Sequence, residues 1–224
     1  MRFFTLAVLA LCLVLAAVAG GAEPDLKTDE QKTFYAIGLV LGRSVDRFGF
    51  SEAELELVKA GLTDGVLHRQ RKIEPEPYGP KIQNLLKTRS AAVAAGERKA
   101  GEAFLAKAAV EKGATKAKTG FVIVTLKPGT GASPQPTDKV KVHYHGTLVD
   151  GSVFDSSVDR KEPVTFPLDG VIPCWSQGVA LMKVGGKSRL VCPPELAYGD
   201  RGAPPRIKPG ATLVFEVELL EVVK

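Results

Sequence analysis

The residues of this 224-residue chain best suited to chemistry are rings, not nucleophiles. The single tryptophan, Trp175, sits in VIPCWSQGV, residues 171–179, behind two aliphatic residues and a proline. Tyr144, Phe154, Phe166, Tyr198 and Phe215 make up, with it, nearly all the aromatic residues that follow Gly120. A lone tryptophan is as readily a core residue as a ligand contact. Rings in this number, with one or two polar tips, read instead as a pocket for something small and apolar.

The motifs of covalent, metal and phosphate chemistry are missing. There is no Gly-x-Ser-x-Gly elbow, no zinc-binding helix and no phosphate loop, and no cofactor is implied. His143 and His145 share one face of a strand, and His68 is the only other histidine. Two imidazoles do not make a metal site, so the pair is expected to face solvent, opposite an inward Tyr144. Asp155 and Arg160, in FDSSVDR, are expected to form a loop ion pair. The net charge of +5 gathers in residues 81–118, where Lys and Arg outnumber Glu. No aromatic residues alternate with those charges, which argues for a solvated helix face and against nucleic acid as a partner.

The elements that must position the rings begin after a leader. Residues 1–22 carry Arg2, an apolar run and Ala17-Val18-Ala19, the pattern of a cleaved export signal. The run is short for a membrane span, so no stable membrane insertion is expected after cleavage. Export to the periplasm follows. Thr28 with Gln31, and Ser51 with Glu54, stand at capping-box spacing. Each precedes an amphipathic stretch: Phe34, Ile37, Leu41, Val45 and Phe48 in one, Leu55, Val58, Leu62 and Val66 in the other. EPEPYGP breaks the pattern, and an Ala-rich helix follows from about Lys81 to Lys112. Two short helices cannot bury such stripes on each other. Either they pack on a second copy, with the long helix as a stalk, or they fold back on the remainder of the chain. The homodimer is the expectation adopted for residues 23–118.

From Gly120 the pattern becomes strands. FVIVTL, KVKVHYHGTLV, VTFPL, KSRLVCP and ATLVFEVELLEV alternate or run apolar between Gly- and Pro-rich turns, with Asp150-Gly151 as a hairpin signal. The Trp175 segment is the single helix-like piece. The fold class is therefore α+β: a helical dimerisation domain with a long stalk helix, then an antiparallel β half-barrel around one short helix in residues 119–224. Cys12 is lost with the leader. Cys174 starts the short helix, and Cys192 ends a strand on the face it shares with Leu190. If that face is the concave one, the two form a disulfide, as an oxidising compartment permits; otherwise they are buried thiols packing as small apolar residues.

VHYHGTLVDGSVFDSSVDR, GVIPCWSQGVALMKVGGKSRLVCPPELAYGDRGAPP and GATLVFEVELLEV resemble, in order, the FKBP family of peptidyl-prolyl cis/trans isomerases. The helical part resembles the dimerisation domain of the exported FkpA- and Mip-type members. The resemblance implies five or six strands wrapped on the helix. It implies Trp175 as the floor under a substrate proline, with Tyr144, Phe154, Val171, Ile172 and Phe215 as walls. It implies Tyr198 as the hydroxyl that hydrogen-bonds the ligand, Asp155 as a rim acid held by Arg160, Phe166 beside that rim, and Ile207 on a flap loop. Val164, Ala203 and Arg206 depart from the cytosolic members, at the substrate rim and in the flap. The partners implied are proline-containing or unfolded polypeptides and macrocyclic inhibitors of the FK506/rapamycin type. The implied activity is isomerisation of X–Pro bonds in exported proteins. The competing function is a holdase that grips unfolded clients between the arms of a dimer.

Overall fold

The computed structural model describes residues 25–223; the leader and Cys12 lie outside the described residues. The chain divides into two compact units, one ending at Leu41 and one beginning at Gly42. Helix α1, Asp29–Val45, runs through that division. Thr28 caps it as expected: its Oγ1 accepts from the Gln31 amide at 3.2 Å, and Gln31 Oε1 accepts from the Thr28 amide at 3.0 Å. Nothing on α1 is buried, and Phe34 is 62% exposed. A Cβ added at Gly38 would meet nothing within 4 Å.

The second unit opens with helix α2, Glu52–Val66, started by a complete Ser51–Glu54 capping box. Leu55, Leu62 and Val66 stay exposed on its surface. Arg89, from the long helix α3 (Gly79–Ala109), donates to the Phe48 carbonyl at 2.8 Å and pairs with Glu54. The hydrogen bond from Arg89, reinforced by those from Ser51, draws the Glu54 pKa down to about 2. The start of α2 is thus keyed to α3 by charge and capping rather than by apolar packing.

Among the described residues, seven strands form one antiparallel sheet. In chain order they are β1 (Ala114–Lys116), β2 (Val122–Lys127), β3 (Lys139–Leu148), β4 (Val153–Ser156), β5 (Val164–Pro167), β6 (Lys187–Cys192) and β7 (Leu213–Val223). The order across the sheet is β1-β2-β6-β7-β3-β4, and β5 pairs the first half of β3 beside β4. Inward and outward residues alternate without a break along β3, as its period-two sequence requires. Bulges at Lys141/Val142 on the β7 side and at Gly146/Thr147 on the β4 side increase the local twist that curls the sheet.

Helix α4, Pro173–Ala180, lies in the concave face. Pro173 occupies its first turn, where a missing N–H costs nothing. The helix's own Val179 and, from outside it, Leu168, Leu190, Leu213, Val217 and Leu219 are fully buried in the same core. Gly178 lets the helix approach, since a Cβ there would fall 2.7 Å from Leu190 Cδ2.

Two features differ from the sequence reading. The sheet has seven strands, not five or six. The additional β1 comes from residues assigned to the end of the stalk, and it pairs Ala114 with Val124. The long helix is also more than a stalk. Its last turns place Phe104, Leu105, Ala108 and Ala109 against Val122, Val124, Val191 and Val214 on the outer face of the sheet. The buried helix positions, Ala94, Gly101 and Ala108, recur every seven residues on one stripe. All are small, so the helix backbone comes close, and Phe104 and Leu105 beside that stripe are only partly buried.

Candidate active site

Helix α4 presents Trp175, 4% exposed, at the base of a cavity of about 480 Å³. Three rings meet the indole edge-on: Tyr144 at 5.4 Å, Phe166 at 5.8 Å and Phe215 at 5.3 Å between centroids. Phe154 stands perpendicular to Phe215 at 5.4 Å. Such edge-to-face contacts add to simple burial and hold each ring in one orientation. Val171 and Ile172, at the entry to α4, close the remaining wall. The indole Nε1–H is buried without an acceptor among the described residues.

Tyr144 Oη donates to one oxygen of Asp155 and accepts from Arg160 Nη2 at 3.0 Å, while Arg160 Nη1 donates to the other Asp155 oxygen. The trio is closed. Burial, then the bond to Asp155, push the Tyr144 phenol up. Burial also pushes Asp155 up, but the Tyr144 and Arg160 hydrogen bonds outweigh it and leave the carboxyl below its ordinary 3.8. The bonds to Asp155 and then Tyr144 raise Arg160. A carboxylate with both oxygens occupied by fixed donors is a poor proton acceptor. The rim therefore orients.

Tyr198 also lines the cavity, 43% exposed, and its hydroxyl has no partner among the described residues. His143 and His145 turn away from the cavity, half-buried, and bond Ser157 and Ser156 at 3.1 and 3.0 Å. No group of His, Cys, Asp and Glu among the described residues could hold a metal ion.

Most residues singled out in the sequence meet here: Tyr144, Phe154, Asp155, Phe166, Val171, Ile172, Trp175, Tyr198 and Phe215 all line the cavity. Arg160 reaches it through Asp155. Val164 packs half-buried against the core, and Ile207 is buried and lines a separate groove beside α3; neither lines the cavity. Cys174 and Cys192 are fully buried and bridged, with Cα atoms 5.7 Å apart, directly behind Trp175.

Two glycines are not marked in the sequence reading, and Arg206 appears there only as a departure in the flap. Gly170 lines the cavity. Gly146, opposite both Asp155 and Phe215, makes room for Phe154: a Cβ there would meet Phe154 Cζ at 2.7 Å. A glycine inside an alternating strand is the signal that could have found it. Arg206 donates to the Phe154 carbonyl at 2.9 Å and so ties the flap to β4.

A family model described as FKBP-type peptidyl-prolyl cis-trans isomerase matches residues 131–220. A second, the domain amino-terminal to such isomerases, matches residues 30–122. The isomerase FkpA of Aeromonas hydrophila is 42% identical over 219 residues, covering 92% of this chain and 81% of its own. This chain belongs to the FKBP family of peptidyl-prolyl cis-trans isomerases. The crystal structure of FkpA from Escherichia coli superposes with a TM-score of 0.66 at 37% identity, covering 88% of this chain and 98% of that one. The outer membrane protein MIP of Legionella longbeachae is 33% identical over all of this chain and 98% of its own. These FKBP relatives favour an isomerase over a holdase.

Proposed function

We propose that the Trp175 cavity is where this isomerase binds the proline of its substrate and lowers the barrier to X–Pro rotation. The edge-on cage of rings around an apolar floor carries the assignment. Rotation is slow because twisting the amide sacrifices its resonance, at about 18–20 kcal/mol. The twisted amide carries less charge on oxygen than the planar one, so an apolar, water-excluding site favours it over the ground state. That difference in binding is catalysis. Trp175 supports the ring, Phe154, Phe215, Val171 and Ile172 exclude water, Tyr198 offers a hydroxyl to the substrate backbone, and the Tyr144–Asp155–Arg160 trio fixes the rim. Phe166 buttresses Tyr144. Macrocycles of the FK506/rapamycin type would compete for the same floor.

The pH profile tests this division of roles. Asp155 lies below its ordinary range and Tyr144 above its own, so neither titrates near neutrality. The stabilisation from Asp155 is complete above its ordinary 3.8 and is lost only as pH falls through its lower folded value. The peptide kcat/KM is therefore expected to be level from about pH 5 to pH 8. A sigmoidal dependence through the imidazole range would restore general acid–base catalysis and contradict the mechanism.

We propose further that the chain is an exported homodimer joined through α1 and α2, acting on proline-containing polypeptides in the periplasm or envelope. The supporting observations are the leader pattern, the uncovered stripes of both helices, and relatives that include an outer membrane protein. No helix among the described residues is long and apolar enough to cross a membrane. The helical domain is then residues 23–118 and the isomerase domain residues 119–224. A fragment for testing the dimer must start near residue 90, because a cut at residue 114 would strip Phe104 to Ala109 from the sheet. That fragment is expected to be monomeric, active on short peptides and weaker on unfolded proteins, since two linked arms raise the local concentration at a client. Light scattering that gave a dimer for the fragment would place the interface elsewhere.

A further inference from the structure

We propose that Arg98, on helix α3, is a positioning residue for the isomerase pocket: it clamps the two carboxylates that flank Tyr198 and holds that loop ready for substrate. The proposal rests on Tyr198 being the substrate anchor. Arg98 Nη1 donates to Glu195 Oε1, and Nη2 donates to Asp200 Oδ1 at 2.8 Å. Glu195 lies in the short turn Pro194–Leu196 and Asp200 in Gly199–Arg201, so one guanidinium spans the segment that carries Tyr198. A planar fork suits that task, whereas an ammonium is a single point charge.

The loop needs such a brace. Tyr198 is 43% exposed at the cavity, so its placement leans on the backbone of its loop. The same helix grips that backbone a second way. Gly210, in a left-handed conformation, donates to the carbonyl of Gly199 at 2.9 Å. Ala94, one turn before Arg98, presses on Gly210 so closely that a Cβ there would fall 2.6 Å from the Ala94 carbonyl oxygen. Glu97 accepts from Lys208 Nζ at 3.0 Å, beside buried Ile207 of the flap. The long helix therefore grips both ends of residues 195–210. Burial pushes Glu195 up, yet the Arg98 hydrogen bond leads a net shift below its usual range, and the bonds to Asp200 and then Glu195 raise Arg98. The Arg98–Glu195 pair therefore stays charged at neutral pH.

Solvent-exposed ion pairs often contribute little to global stability, so the test reads the pocket. In the full chain, Arg98→Ala is expected to raise KM for a proline peptide about three- to fivefold with kcat unchanged, as loss of uniform binding does. A peptide titration followed by Trp175 fluorescence should weaken by the same factor. Arg98→Lys should recover only part of the loss, and Glu195→Gln with Asp200→Asn should reproduce Arg98→Ala. The deciding measurement is the cycle with Tyr198→Phe. If Arg98 acts through Tyr198, Arg98→Ala adds no further loss in the Tyr198→Phe background. Wild-type KM in Arg98→Ala, or a loss that adds in full to that of Tyr198→Phe, would overturn the proposal. A Tyr198→Phe variant with wild-type kinetics would instead refute Tyr198 as the anchor, and the positioning role with it.

Discussion

Trp175→Ala is expected to lower kcat/KM for an X–Pro peptide about a hundredfold, equivalent to about 2.7 kcal/mol of transition-state binding. The buried indole lines the cavity, and three rings stand perpendicular to it. Its loss removes the floor and frees the walls together. Phe154→Ala should cost about tenfold, because it opens one wall and leaves the floor in place. Stability will suffer as well, since a buried Trp or Phe truncated to Ala costs about 3–5 kcal/mol. Circular dichroism should therefore accompany each rate, with Trp175→Leu as the milder floor variant. Folded Trp175→Ala and Phe154→Ala proteins that kept wild-type rates would show that the reaction occurs elsewhere.

Reduction of the Cys174–Cys192 bridge is expected to be the second large effect. The bond closes a loop of 18 residues, for which chain entropy gives about 3 kcal/mol. For a chain of this size that corresponds to a fall in Tm of about 6–12 °C. The bridge ties the helix carrying Trp175 to the end of β6, so ligand affinity should fall with stability. A thiol count on exported protein, denatured without reductant, checks the premise. Two reactive thiols per chain would end the idea, and a covalent dimer would mean that the pairing runs between chains.

The residues closest to the chemistry were the most legible. Trp175 is unique, β3 alternates strictly, and both capping boxes are local signals that depend on four neighbouring residues. The rim ion pair was readable because Asp155 and Arg160 are close in sequence. What escaped was set by contacts between distant residues. Arg98 meets carboxylates about a hundred positions away, and nothing near it in the chain marks it among the other cations of α3. The docked face of α3 escaped because its buried positions, Ala94, Gly101 and Ala108, are small, and Phe104 with Leu105 make too short an apolar patch to form a stripe. Strand β4 is four residues long between turns and offers little periodicity. Ile207 was expected over the pocket. It turns into the core instead, because Ala203 and Ile207 exchange backbone hydrogen bonds that curl the flap around it.

If this chain speeds folding by turning over X–Pro bonds in the Trp175 pocket, it must do so catalytically. The most direct test is the refolding of a protein limited by proline isomerisation, followed as the full chain is added at a small fraction of the client concentration. The slow phase should accelerate in proportion to added chain, and Trp175→Ala should abolish the acceleration. An unchanged slow phase, with a higher final yield only when chain and client are equimolar, would contradict the claim and leave a holdase in its place.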